Sequence, residues 1–187
     1  MAFRVQEFRS QMEFDGARPN LFQCALSFPQ IAAAEGDPNT KFTFMARAAQ
    51  LPGSTVNQIP VNYFGRELKF AGNRTFTEWT VTIINDEDFL VRRAFERWMN
   101  GMNSHVQNLR NTNFIKGDGG YQADGYVDQF GKTGDVIKSY KFVGMFPIDV
   151  SPIELDWGSN DNIEEYAVTF AYQWWESDDN NATTDQT

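Results

Sequence analysis

The stretch Ile163–Trp175 sets Tyr166, Val168, Phe170, Tyr172 and Trp174 on one face of an extended chain and Ala167, Thr169, Ala171 and Gln173 on the other. Alternation sustained over this length fits a half-buried strand and not a helix, whose side chains recur every 3.6 residues. Phe76–Ile84 repeats the pattern, with Trp79, Val81 and Ile83 opposed to Thr80, Thr82 and Ile84. Shorter alternating runs occur at Asn20–Phe28, Lys41–Ala48, Val56–Phe64, Arg66–Phe70, Tyr126–Phe130, Val136–Val143 and Ile153–Trp157, separated by Gly-, Pro- and Asn-rich breaks such as Gly36-Asp37-Pro38-Asn39 and Ala71-Gly72-Asn73-Arg74. Lys41–Ala48 is expected to form a hairpin with Asn20–Phe28. Pro60 marks the Val56–Phe64 run as an edge or a bulge.

The period changes only once. Val91, Ala94, Phe95, Trp98 and Met102 follow helical spacing, with Asp86 or Asp88 as the expected N-cap and Gly101 as the expected stop. About eight strands and one helix predict a mainly β fold of two packed antiparallel sheets, sandwich- or barrel-like, with one flanking helix. Parallel crossovers would need more helices. The expected division is one domain over residues 1–176 and an acidic tail over 177–187. Residues 29–39 and 103–125 read as loops.

Composition removes several functions. One cysteine, Cys24, permits no internal disulfide, and with the single His105 it cannot make an ordinary zinc site. No apolar run is long enough to span a bilayer, so no membrane insertion is expected, and Met1–Phe14 lacks the apolar core of a signal peptide. The cytoplasm, or an assembly made there, is the expected location. The formal charge of −9 argues against a general nucleic-acid binder. That charge is uneven: residues 1–110 carry 12 basic and 11 acidic side chains, residues 111–187 carry 4 and 14, and no Lys or Arg follows Gly144. The bland reading is a solvated face; the sharper one is a directional field that complements another copy or repels a polyanion.

No catalytic pattern survives inspection. Gly131-Lys132-Thr133 resembles the end of a phosphate loop, but Tyr126 stands where the first glycine is required and a strand pattern follows. Asp156–Glu165 fails the calcium-loop pattern at its third, sixth and twelfth positions. Glu154 and Asp156 share a strand face without a spacing that makes them a glycosidase pair. Cys24 and His105 lack an orienting third group. Asn73-Arg74-Thr75 fits a glycosylation sequon without a secretion signal. No catalytic, metal-binding or cofactor-binding residue is assigned, and no enzyme activity is expected.

A set of ordered segments carries a resemblance. They are Ala17–Phe22; Leu51-Pro52-Gly53 followed by Ile59-Pro60-Val61; Ala71–Phe76, Trp79–Thr82 and Asn85-Asp86-Glu87; then Leu155-Asp156-Trp157, Ser159-Asn160, Val168-Thr169 and Trp175-Glu176. In order and spacing the chain resembles the tail tube proteins of contractile-tailed, T4-like bacteriophages, across most of residues 17–100 and 140–176. The resemblance implies hexameric rings stacked head-to-tail into a hollow tube inside a contractile sheath. It implies a virion location after assembly in the host cytoplasm. The implied partners are further copies of the chain, the sheath protein, the tape measure protein, and baseplate and tail-terminator proteins, with DNA passing through without specific binding.

Leu51–Phe76 is then expected to project as a hairpin making inter-subunit and inter-ring contacts through Leu51, Pro52, Ile59, Pro60, Arg66, Arg74 and Phe76. Asp149, Glu154, Asp156, Glu164 and Glu165 are candidates for the lumen or a ring face, between which the sequence does not choose. The alternatives are the tube of a related injection or secretion machine carrying protein effectors, and a small hydrolase with a cryptic site.

Overall fold

Burial follows the alternation wherever it is strongest. The computed structural model describes residues 4–12, 16–33, 36–112 and 120–177. Its elements run α1 (Val5–Gln11), β1 (Phe22–Leu26), α2 (Pro38–Met45), β2 (Ala46–Ala49), β3 (Ser54–Tyr63), β4 (Arg66–Phe76), β5 (Trp79–Ile84), α3 (Leu90–Met102), β6 (Ala123–Phe130), β7 (Val136–Val150), β8 (Glu165–Ala171) and β9 (Trp174–Ser177). Trp79, Val81 and Ile83 of β5 and Tyr166, Val168 and Phe170 of β8 all point into the core, as their spacing requires. The expected mainly β architecture with a flanking helix is therefore observed, with two shorter helices in addition.

Seven strands form one antiparallel sheet in the order β1-β6-β7-β8-β5-β2, with β9 also on β7. The long β7 divides it: its first part pairs with β6 and β9, and its last residues pair with β8. The two parts pack face to face, with Trp79 tilted over Phe142 at 4.6 Å between ring centroids and Phe170 at 5.6 Å from Trp79. Strands β8 and β9 lie on one edge of β7 in one register, Phe146 opposite Ala171 and Val143 opposite Trp174. The expected Ile163–Trp175 strand is thus a single ladder interrupted at Tyr172–Gln173, across from Gly144, whose φ of +65° lets the chain kink.

Helix α3 closes the core with Val91, Ala94, Phe95 and Trp98. Asp88 Oδ1 accepts from Leu90 N at 2.9 Å and supports the helix start, although the N-cap position itself is Phe89 in a left-handed conformation. Gly101 does not end the helix, which runs to Met102. The Gly101 carbonyl instead accepts from Asn111 N at 2.9 Å, folding the following loop back.

The expected Lys41–Ala48 strand is replaced by α2 and the short β2, and β2 pairs with β5 instead of β1. Local capping explains this. Asp37 Oδ1 accepts from Asn39 N at 3.1 Å and Thr40 N at 3.3 Å, and Pro38 opens the helix. Phe42 is buried beside Phe28 and Phe95, whereas Phe44 faces solvent, so the two alternating phenylalanines never shared a sheet face. The expected tail loses its first residue to the fold, since Ser177 is buried at the end of β9. Residues 178–187 lie outside the described residues, as do residues 113–119 of the expected long loop.

Candidate assembly surfaces

The largest group of exposed apolar side chains among the described residues, Val56, Ile59, Val61, Tyr63, Phe64, Leu68 and Phe70, sits on one element. Among the described residues, strands β3 and β4 pair only with each other, joined by a turn at Phe64-Gly65. They continue the β2–β5 ladder without a change of register, because Ala49 lies opposite Val81 and Ser54 opposite Phe76. The hairpin is therefore an outward extension of the core sheet, about 33 Å long at the usual rise per residue. Its base is pinned: Trp79 Nε1 donates to Gln50 O at 2.7 Å, Tyr172 Oη to Thr77 O at 2.6 Å and Trp175 Nε1 to Gly53 O at 3.3 Å.

Beyond the base every β3 side chain is exposed. Ile59 opposite Phe70 and Val61 opposite Leu68 share one face with Tyr63, while Pro60 opposite Lys69 and Asn62 opposite Glu67 occupy the other. One face is thus apolar and the other polar, the pattern of a strand pair with one face meant for burial. The expected turn at Ala71–Arg74 is a bulge within β4, between the Val56–Arg74 and Gln58–Ala71 pairs. A Cβ on Gly72 would meet Asn57 O at 2.9 Å, so the bulge requires glycine.

The contact candidates distribute along this element. Leu51 and Pro52 lie at the joint between β2 and β3. Ile59 and Pro60 lie in the outer half, Arg66 opposite Tyr63 at the tip, and Arg74 opposite Val56 near the base. Phe76 is half-buried against the ring of Tyr172 at 6.1 Å, so it belongs to the anchor more than to the free surface.

Four of the acidic candidates, Glu154, Asp156, Glu164 and Glu165, gather at the opposite end of the core sheet, whereas Asp149 lies nearer the Trp79 end. Strand β5 meets the hairpin at its Trp79 end, and at its other end Ile84 lies opposite Glu165. There Glu164 accepts from Asn85 Nδ2 at 2.8 Å, and Glu165 pairs with Arg47. Glu154 and Asp156 lie in the loop between β7 and β8; the expected short strand at Ile153–Trp157 is not formed. Leu155, Trp157 and Ile163 of this loop are exposed, Trp157 fully at 100%. Asp149 sits beside Thr169 on the sheet face turned away from the core, with Thr80 Oγ1 3.2 Å from Thr169 Oγ1. The projecting hairpin was expected from the sequence with Ile59 among its contacts, but the exposed apolar side chains of the β7–β8 loop were not; the signal available was Leu155, Trp157 and Ile163 in a segment rich in turn residues.

The remaining chemical candidates are quiet. Cys24 is buried, and desolvation, then the nearby Asp128, pushes its thiol up to about 12. His105 lies in an exposed turn. Gly131-Lys132-Thr133 is the β6–β7 turn, with Gly131 N donating to Asp135 O at 2.8 Å. Asp156 Oδ1 accepts from its own loop's Gly158 N at 3.0 Å, an Asx turn. Among the described residues no cluster of His, Cys, Asp or Glu could hold a metal, and no helix is long and apolar enough to cross a membrane.

A family model described as phage tail tube protein matches residues 17–178. The tail tube protein gp19 of Enterobacteria phage T4 is 32% identical over 166 residues, covering 87% of this chain and 92% of that protein. The tail tube protein of Serratia phage KSP90 is 26% identical over 170 residues, covering 90% and 93%. Among solved structures, a chain of the anti-feeding prophage baseplate superposes with a TM-score of 0.62 at 13% identity, over 87% of this chain and 95% of that one. A chain of the sheath–tube complex of an extracellular contractile injection system gives 0.56 at 11% identity, over 94% and 98%. At that identity the two structures show a shared fold.

Proposed function

The chain belongs to the phage tail tube protein family, and on that premise we propose that its surfaces build the inner tube of a contractile tail. The observation that carries this reading is the hairpin: a long two-stranded ribbon with an apolar face and no strand partner among the described residues. Such a ribbon is marginal in water by itself. Each buried Val, Leu, Ile or Phe contributes about 1.5–3 kcal/mol, so covering that face with another copy is strongly favoured.

Lateral closure uses the sheet edges. Among the described residues β2 has β5 on one edge only, and residues 146–150 of β7 have β8 on one edge only. The order β7-β8-β5-β2 is antiparallel throughout, so β2 of one copy meets β7 of the next in the same alternation. Six copies joined this way give a ring with a continuous inner sheet and no exposed edge. The wall presented to the channel is then the non-core face, with Thr80, Thr82, Thr169, Ala167 and Asp149. Arg47, the basic residue at this wall, is engaged by Glu165. A wall whose described cation is already paired adds little phosphate affinity, which suits a conduit through which DNA passes unbound.

The remaining acids, Glu154, Asp156 and Glu164, sit at a ring face in this arrangement. The tape measure protein fills the channel before ejection, the sheath surrounds the tube, and baseplate and terminator proteins cap its ends. The role is structural, not enzymatic. The machine is a phage tail in preference to a secretion or injection tube, because the relative at 32% identity is a phage tube protein. Electron microscopy of the purified protein tests the reading: hollow tubes of uniform width are expected from the wild type. Ile59→Asp should give folded subunits that do not polymerise, and normal tubes from that variant would sink the hairpin's role. Ile59 is a cleaner test than Phe76, whose ring also packs on Tyr172.

A further inference from the structure

We propose that the hairpin β3–β4 of one copy docks on the β7–β8 loop, residues 151–164, of the next copy along the tube axis. The inference rests on the tube reading and names the surface that receives the hairpin.

Three observations carry it. The first is position. The hairpin leaves the core sheet at the Trp79 end of β5, and the loop enters β8 at the Ile84 end, so the two lie at opposite poles of the same sheet. A contact between unlike poles is heterologous and translates one copy along the strand direction, which generates an open-ended stack.

The second is charge. The hairpin carries Arg66, Lys69 and Arg74 against one acid, Glu67. The loop carries Glu154, Asp156, Asp161 and Glu164 and no Lys or Arg, while Glu165 beyond it is paired with Arg47. Facing poles of two copies therefore attract, whereas two hairpins or two loops repel, and a single polarity of stacking is selected.

The third is exposed apolar surface on both sides. Phe64 at the hairpin tip is 91% exposed, and Leu155 and Trp157 in the loop are 81% and 100% exposed. Phe64 touches its neighbour Tyr63 edge-on and still leaves most of its ring to solvent, and the loop is held in shape by the Asp156–Gly158 contact and by Ser151, whose Oγ accepts from Ala167 N at 2.8 Å. A fixed apolar platform rimmed by carboxylates fits an apolar ribbon flanked by cations.

Charge exchange and crosslinking test this on the full chain. Lys69→Glu should raise the critical concentration for tube growth at least about tenfold while single rings still form, and Asp156→Lys should do the same. The double variant, K69E with D156K, should recover most of the loss. For crosslinking, F64C protein is mixed with W157C protein and treated with a short bismaleimide. A covalent pair joining the two different variants is expected, with Cys24 silent because it is buried. Wild-type-like growth of both single charge variants, or the lack of the mixed pair in tubes that do form, overturns the docking proposal alone. A wild-type protein that forms neither rings nor tubes overturns the tube reading with it.

Discussion

Trp79 shows how much one side chain can settle. Its ring packs on Phe142 and Phe170 inside the core, while its indole nitrogen holds Gln50 O at the joint where β2 becomes the hairpin. Trp79→Ala is expected to cost about 3–5 kcal/mol of stability from lost packing, read by denaturant unfolding. Trp79→Phe keeps most of the packing but leaves the Gln50 carbonyl without this donor, so it should loosen the hairpin base more than the core. Hydrogen exchange at Leu51–Ser54 measures that difference. Cys24 makes the opposite case. A buried thiol pushed up to about 12 stays protonated at neutral pH. The folded protein should resist alkylation at pH 8 and react only after denaturation; rapid labelling of native tubes would contradict this.

At the scale of elements, local and global signals compete. The helix α2 forms because Asp37 and Pro38 start it, although Phe42 and Phe44 alternate as a strand would. Lys41 then ties α2 to the start of α3 by pairing with Asp86 at 2.6 Å and with Asp88. Hydrogen bonding to Lys41 holds both carboxyls below the usual range. A lowered folded-state value means that the contribution is present above the ordinary carboxylate range and is lost as pH falls through the lowered value. Thermal melting between pH 7 and pH 3 should therefore show a drop in Tm that Lys41→Met reduces. In the hairpin, Gly72 is the vulnerable position. Gly72→Val forces a side chain against Asn57 O and should straighten or break the bulge. The body is expected to remain folded by circular dichroism while tube yield falls several-fold.

The whole molecule is a polar object. Its hairpin is basic and its far loop is acidic, and the strands between them span about 20 Å. Contacts made at the rims of such poles are screened by salt within a Debye length of about 8–10 Å near physiological ionic strength. Tube growth should slow as salt rises, measured by turbidity or sedimentation, while ring closure through backbone pairing of β2 and β7 should change far less. Equal salt sensitivity of both steps would argue against this division of labour.

The sequence by itself determined the class of fold, the core positions of β5, β8 and α3, the absence of a recognisable catalytic motif and the uneven charge. Each of these is written in a period or a count, and periods are local. Only the tertiary structure decided that β8 and β9 are one ladder on β7 and that the acidic loop lies at the pole opposite the hairpin. Those outcomes depend on which distant strands pair and in what register. Hydrophobic alternation says which face of a strand is buried, but it carries no record of the neighbour that buries it.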